Sequence, residues 1–475
     1  MIDPAMHLEV LRRAHRHAAA HLAGMETSPV GAAATAASLR DALGSPFPEK
    51  GLPASVVLDR LAEAVRPGLV HSSSPRFFGW VMGGTLPAAL GADWLTSAWD
   101  QNAAVFATSP AAAIVEEIVG QWLRFLFDLP DEASFALTTG CQLAHVTCLA
   151  VARHALLAAR GWDVETHGLA GAPPVRLLTG ASAHGSIVRA VRLLGLGAGS
   201  IEYLAEDEAG RLRGSVLEAA LKGEDRPALV LLKAGDLYRG SCDAFQELAP
   251  VARAAGAWTH VDGAFGLFLK ASAKHRSRVE GVELCDSWAT DGHKWLNTPF
   301  DCGYAFVRDA AAHRAAISHS TAYVEDAPDA RDQMAFTPEW SRRARGFSSW
   351  AALRELGREG LADVIDRGCA MALRLTEGLA ALPGGQLVWR PTINQGLVRF
   401  LSAAPGATEE DHDRHTQAVI RAVNATGDAF FTGGIWRGRQ VMRISVVNHA
   451  VGDDDVDRAL AAADAAVRRL RGSAA

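Results

Sequence analysis

Between about residue 134 and residue 310 the chain alternates short apolar runs with longer amphipathic ones, and this alternation constrains the fold more than any other feature. "SFALTT", "VRLLTG", "ALVLLKAG", "AWTHVDG", "SWATD" and "CGYAFVRD" read as strands. "AHVTCLAVARHALLAAR", "SIVRAVRLLGLG" and "FQELAPVARAAG" read as the helices between them. Strands without a polar face must be covered on both sides, which calls for a mostly parallel central sheet flanked by helices, an α/β class. Such sheets gather ligands at the carboxyl ends of their strands. Here those ends carry Thr139 and Gly140, His184, Asp262 and Lys294.

The flanking sequence divides the chain into three parts. Residues 1–105 read as a helical N-terminal segment, 106–350 as the large α/β domain and 351–475 as a small α+β C-terminal domain, with a linking helix around 348–380. "SPAAAIVEEIVGQWLRFLFDLP" (109–130) predicts a helix capped by Ser109, with Pro110 in its first turn. "GGIWRGRQ" (433–440) reads as a hairpin-like turn, not a phosphate loop. Hydrophobic residues make up 49% and the net charge is −6, so neither nucleic acid nor an anionic membrane is an expected partner. The N-terminus lacks the apolar core of a signal peptide, and no other stretch reads as long and apolar enough to span a bilayer. The six cysteines show no CxxC pair and read as reduced thiols, implying a cytoplasmic protein. The histidines offer no metal spacing, and no metal is expected; His412 and His415 read as part of a solvated helix face. Trp94, Trp99, Trp122, Trp288 and Trp350 lie at core spacing and read as packing.

Asp262, in "WTHVDGAFG", ends an apolar strand, where a carboxylate must be paired if buried. Alone it could be a helix cap or a salt-bridged core residue. Lys294, in "SWATDGHKWLN", could equally be a surface lysine after a strand. Together with His184 they match the needs of pyridoxal phosphate: an amine, a carboxylate for the ring nitrogen, a flat group against the ring and amides for the phosphate. Burial and a nearby cation are expected to lower the pKa of Lys294 toward neutrality. Ala264 shares a face with Asp262 and is small enough to let a ring lie flat. The turn "TTGC" (138–141) opens a helix whose first amides and dipole favour an anion.

The ordered motifs resemble one family, the group II pyridoxal-phosphate decarboxylases of the aromatic-amino-acid and glutamate decarboxylase type. "TSPAAAIVEEIVGQWLRFLFDLP", "SAHGSIVRAVRLLGLG", "HVDGAFG" and "DGHKWLNTPFDCG" are similar to its segments, and the likeness runs from about residue 60 to residue 460. The resemblance implies the fold-type I architecture, an amino acid substrate and a homodimer with shared active sites. It makes Lys294 the Schiff-base lysine, Asp262 the ring-nitrogen partner and His184 the stacking group. Thr139, Gly140, Cys141, Gln142 and His293 become phosphate contacts, with Asp291 beside them in the cofactor site.

Departures from the family pattern bear on which bond breaks. "TTGCQLAH" (138–145) stands where TSGG[ST]EAN is usual. "AGDLYRGSCD" (234–243) moves Asp236, Tyr238 and Arg239 toward the expected substrate position, and "PRFFGWVMGGT" (75–85) supplies Phe78 and Trp80 there. The stretch 323–346, matching the family's mobile loop, has no tyrosine after Tyr323. Arg443, in "VMRISV", reads either as an interface ion pair or as a carboxylate holder. The expected reaction is α-decarboxylation of an amino acid to an amine and CO2. Aldol or lyase cleavage, transamination, oxidative decarboxylation–deamination and a non-catalytic binding protein remain alternatives.

Overall fold

A computed structural model describes residues 4–44, 46–319 and 330–472. The central sheet has seven strands: β1 (Ser134–Thr138), β2 (Arg176–Gly180), β3 (Ile201–Leu204), β4 (Ala228–Lys233), β5 (Trp258–Asp262), β6 (Ser287–Asp291) and β7 (Gly303–Val307). Their order is β1-β7-β6-β5-β4-β2-β3. β3, β2, β4, β5 and β6 run parallel, while β7 is antiparallel to both its neighbours. Every residue of β2, β4, β6 and β7 is buried, as expected of strands covered on both faces. β3 did not stand out in the sequence because it is only four residues long and half exposed.

Three helices, α1 (Pro4–Gly24), α2 (Ala36–Leu43) and α3 (Ala54–Val65), form the N-terminal segment, and none of them buries a residue. They are followed by α4 (Pro87–Trp99), α5 (Pro110–Leu126) and α6 (Cys141–Ala158). Pro110 opens α5 as expected, but Ser109 makes no side-chain cap; its buried hydroxyl finds no partner. On length and composition α6 could cross a membrane, which corrects the expectation that no stretch could. It is instead a core helix, lying against β6, β7 and the helix Gly185–Leu193 with most of its surface buried.

A long helix, Gly346–Ala380, leads to the small domain, an antiparallel sheet in the order β10-β11-β9-β8. Its strands are β8 (Gly385–Trp389), β9 (Gln395–Phe400), β10 (Thr432–Trp436) and β11 (Arg439–Ser445). The β10–β11 turn is the two-residue hairpin read from the sequence: Arg437 and Gly438 both take positive φ, 50° and 77°. Residues 76–78 reach across to this domain. Phe78 donates its N–H to the Phe430 carbonyl and accepts from the Ser445 N–H, while its ring stacks on Phe431. Among the tryptophans read as packing, Trp288 is fully buried, but Trp94, Trp99 and Trp350 are 40%, 48% and 38% exposed. Helical spacing identified a face without saying what covers it.

Candidate active site

β5 presents Trp258, His260 and Asp262 on one face, because residues two apart point the same way. That face lies under α6, whose His145 packs edge-on against His260 with ring centroids 5.2 Å apart. Asp262 therefore ends the strand facing His145, with Oδ1 3.6 Å from His145 Nε2. It also accepts the Ala264 N–H at 3.1 Å, which curls the chain so that Ala264 stands beside the carboxylate. Burial pushes the Asp262 carboxyl up, but the neighbouring His145, then His184 and Lys294, outweigh it and hold the group below the ordinary carboxylate range. Asp262 is a buried, ionised acceptor.

Lys294 follows the next strand, β6. Its Nζ lies 3.0 Å from Asp291 Oδ2, and the side chain is 15% exposed. Burial disfavours the ammonium, as anticipated, yet the Asp291 carboxylate more than offsets this and the pKa lies above the ordinary lysine value. The sequence reading had the opposite sign because it counted burial and a cation but not the acid three residues back. Asp291 Oδ1 accepts the Cys141 N–H at 2.7 Å, so the acid joins the start of α6 to the amine.

The turn that carries Lys294 is fastened from outside. Gly83 donates its N–H to the His293 carbonyl, and a Cβ on Gly83 would come within 2.3 Å of the Lys294 carbonyl oxygen. Asn297 accepts from the N–H groups of Gly84 at 2.6 Å and His449 at 3.0 Å, and donates to the carbonyls of Trp295 and Val447. Segments far apart in sequence thus clamp the lysine turn.

The expected phosphate turn is open in part. Gly303 of β7 lies so close that a Cβ there would sit 2.3 Å from the Gly140 carbonyl carbon. Thr139 is exposed, and Thr138 Oγ1 donates to the Gly140 carbonyl. The Cys141 amide is taken by Asp291, but the Gln142 amide has no protein acceptor among the described residues. The Gln142 side chain turns away from the cleft, donating to the Ser186 carbonyl at 3.2 Å. His293 stacks on Phe300 with its Nδ1 3.6 Å from Asp291 Oδ1, and burial, opposed by that carboxylate, lowers its pKa. His184 caps the helix Gly185–Leu193 through Nδ1 and is exposed to solvent along the cleft. The protein around it still disfavours its charged form; Asp262 opposes this, and Lys294, His145 and Arg443 add to it.

The substrate-side expectations need correction. Phe78 is 1% exposed and belongs to the small-domain core, so it lines no cleft. Asp236 and Arg239 are buried and paired with each other, Arg239 also reaching Glu206. Glu206 and Asp243 in turn hold Lys233, which makes this a closed structural ion network. Two charges that neutralise one another in the interior offer nothing to a ligand. Trp80 is 59% exposed with φ 56°, and Tyr238 is half-buried. Arg443 is no interface ion pair either: it donates to the Leu237 carbonyl and the Thr432 hydroxyl and lies 5.5 Å from the centre of the Tyr238 ring. Among the described residues it has no carboxylate partner, and its Nε is buried without an acceptor. Tyr323 and the first part of the 323–346 stretch lie outside the described residues.

His145 and His260 were not picked out from the sequence. Two signals could have found them: the period-two run Trp258, His260, Asp262 within an apolar strand, and His145 one helical turn after Cys141. Cys141 Sγ, His145 Nε2 and Asp262 converge so that their ligand atoms lie within 4.8 Å of one another. Burial and the two nearby carboxylates push the Cys141 thiol's pKa up, so it is held as a thiol beside His145.

The donor set fits pyridoxal phosphate. A primary amine, an ionised buried carboxylate, a small residue beside it, an imidazole near both and a helix-start amide without a protein acceptor among the described residues come together at the carboxyl ends of the strands. Comparison with known proteins agrees. The pyridoxal-dependent decarboxylase conserved domain matches residues 37–402. L-2,4-diaminobutyrate decarboxylase of Rhizobium meliloti (strain 1021) is 31% identical over 437 residues, covering 90% of this chain and 84% of the relative. Tryptophan decarboxylase 1 of Oryza sativa subsp. japonica is 29% identical over 435 residues, covering 86% and 83%. The crystal structure of Oryza sativa TDC with PLP and tryptamine superposes with a TM-score of 0.91 over 99% of each chain, at 23% identity.

Proposed function

The chain belongs to the pyridoxal-dependent decarboxylase family, and on that premise we propose that it removes CO2 from an amino acid to give an amine. One observation carries the assignment of roles: Asp262 ends β5 and Lys294 follows its parallel neighbour β6, near enough that each biases the other's charge. Pyridoxal phosphate, when bound there, supplies a ring that takes up the electron pair left as a bond at the substrate's α carbon breaks.

The protein's own groups do the rest. Asp291 holds the Lys294 ammonium at 3.0 Å and so positions the amine. Asp262 would accept a hydrogen bond from the cofactor's ring nitrogen and favour a proton there. Ala264 leaves room for a flat ring, and His184, neutral near pH 7, lies over the cleft where it can exchange a proton. The Gln142 amide, the start of α6 and His293 suit the phosphate, with Thr139, Gly140 and Cys141 shaping the turn. Trp80 and Tyr238 are the surviving candidates for substrate contact.

Arg443 supports a second reading. A buried guanidinium without a carboxylate suits a substrate carboxylate, and a carboxylate that is gripped is kept. That would favour transamination or aldol-type cleavage. Screening amino acids for CO2 and amine against keto product, ammonia and peroxide decides. Amine and CO2 in equal amounts support decarboxylation; keto product without CO2 sinks it.

The apolar surface of α1 and α3, with Leu8, Leu11, Val57 and Leu61 about half exposed, supports a homodimer sharing its active sites. Six free, buried thiols support a cytoplasmic location.

A further inference from the structure

Behind Asp262 a line of polar groups runs back through the sheet, where apolar packing would be expected. Trp258 Nε1 donates to Ser287 Oγ at 2.9 Å, and Ser287 Oγ lies 2.9 Å from His260 Nδ1. His260 Nε2 lies 2.9 Å from His145 Nδ1, and His145 Nε2 faces both Cys141 Sγ at 3.3 Å and Asp262 Oδ1 at 3.6 Å. His145, His260 and Ser287 are all 0% exposed. The register explains the alignment. His260 of β5 pairs with Ser287 of β6, and His145 drops from α6 into the gap between His260 and Asp262.

The ends of the line give it a direction. The indole is a donor only, and the ionised Asp262 is an acceptor only. Between two neutral rings the opposite direction would set a bare His145 nitrogen against the carboxylate oxygen, lone pair against lone pair. We infer that Trp258, Ser287, His260 and His145 form a one-way hydrogen-bond relay in which both histidines are neutral Nε2–H tautomers and the His145 N–H points to Cys141 Sγ at 3.3 Å and to the Asp262 carboxylate at 3.6 Å. His145 and His260 are positioning residues: they touch neither cofactor nor substrate but fix how Asp262 presents its charge. Each N–H of the relay is satisfied in turn, so Asp262 can only accept, and a protonated ring nitrogen is the group it suits.

The surroundings support neutrality. His260 faces only His145 and Asp262 among titratable groups, and burial holds its pKa well below the ordinary histidine value. The His145 end is flanked by Cys141, Asp262 and His184, with Lys294 and Asp291 one contact further out.

The relay is tested in the full-length protein by nitrogen NMR with labelled histidine, the two signals being assigned through single substitutions. Both should show neutral Nε2–H tautomers in the working protein near neutral pH. An Nδ1–H tautomer at either residue, or an imidazolium, overturns the relay whether or not the cofactor binds. Its consequence for the cofactor rests on the reading of Asp262 as ring-nitrogen partner. His260→Leu should weaken pyridoxal phosphate binding about tenfold or more and shift the pH dependence of the bound chromophore. His260→Gln keeps an N–H donor and should restore both. If the two variants bind alike and share the wild-type pH profile, with equal thermal stability, the positioning role is wrong.

Discussion

Lys294 is one of three largely enclosed lysines in the large domain, and their partners set them apart. Lys233 is held between Glu206 and Asp243, and Lys270 pairs with Glu283 at 2.6 Å. Lys294 has a single near carboxylate, Asp291, which it shares with a backbone amide. Burial alone would lower the Lys294 pKa and Asp291 raises it, so Asp291→Asn should bring it down. The amine then becomes free at lower pH, and the pH midpoint for attaching pyridoxal phosphate, read by absorbance, should move to lower values. At this scale the sequence showed the groups whose type is unusual for their setting: Lys294, Asp262 and His184. It misplaced Phe78, Asp236 and Arg239, because whether a side chain faces a cleft or another part of the fold depends on contacts with other segments, from tens to hundreds of residues away. Phe78 meets Phe431, and Arg239 meets Glu206.

At the scale of elements, two buried polar links tie the helices to the sheet. Arg342 and Glu116 are both fully enclosed and 2.8 Å apart, and Arg342 also donates to the carbonyls of Ala103 and Leu137. The pair joins α5 to the end of β1. Removing one partner strands the other charge, so Arg342→Ala should cost about 3–5 kcal/mol in denaturant unfolding. The second link is His313, between Ser134 at the start of β1 and the Phe336 carbonyl. Burial pushes its pKa down to about 3. Between the ordinary histidine value and about pH 3 the unfolded chain binds a proton that the folded chain refuses. Stability should therefore fall with falling pH in that window, by about 1.4 kcal/mol per pH unit for this residue. His313→Gln should flatten the slope. The strands and helices themselves were legible because their periodicity is local. β3 and β8 escaped because they are short and partly exposed, leaving little apolar pattern to read.

At the scale of the whole molecule, the N-terminal helices leave their apolar faces open. Leu8 and Leu11 are 53% and 55% exposed, so charging them disturbs no core of the single chain. On the proposal that these faces pair two copies of the chain, the double substitution Leu8→Glu with Leu11→Glu should lower the mass seen by sedimentation from dimer to monomer and reduce activity with it. An unchanged mass would contradict that proposal. The mostly parallel sheet and the cofactor were legible in the sequence, because each is carried by motifs in a fixed order. Which bond the site breaks is set by a pocket assembled from several parts of the chain, and no single stretch encodes it.

The central claim is that Lys294 is the amine that binds pyridoxal phosphate. The most direct measurement incubates the purified protein with the cofactor, reduces the adduct with borohydride and maps the modified peptide by mass spectrometry. The account predicts a single modified site at Lys294, and no visible chromophore in Lys294→Ala. Modification at Lys233 or Lys270 instead, or a chromophore that survives in Lys294→Ala, would contradict it.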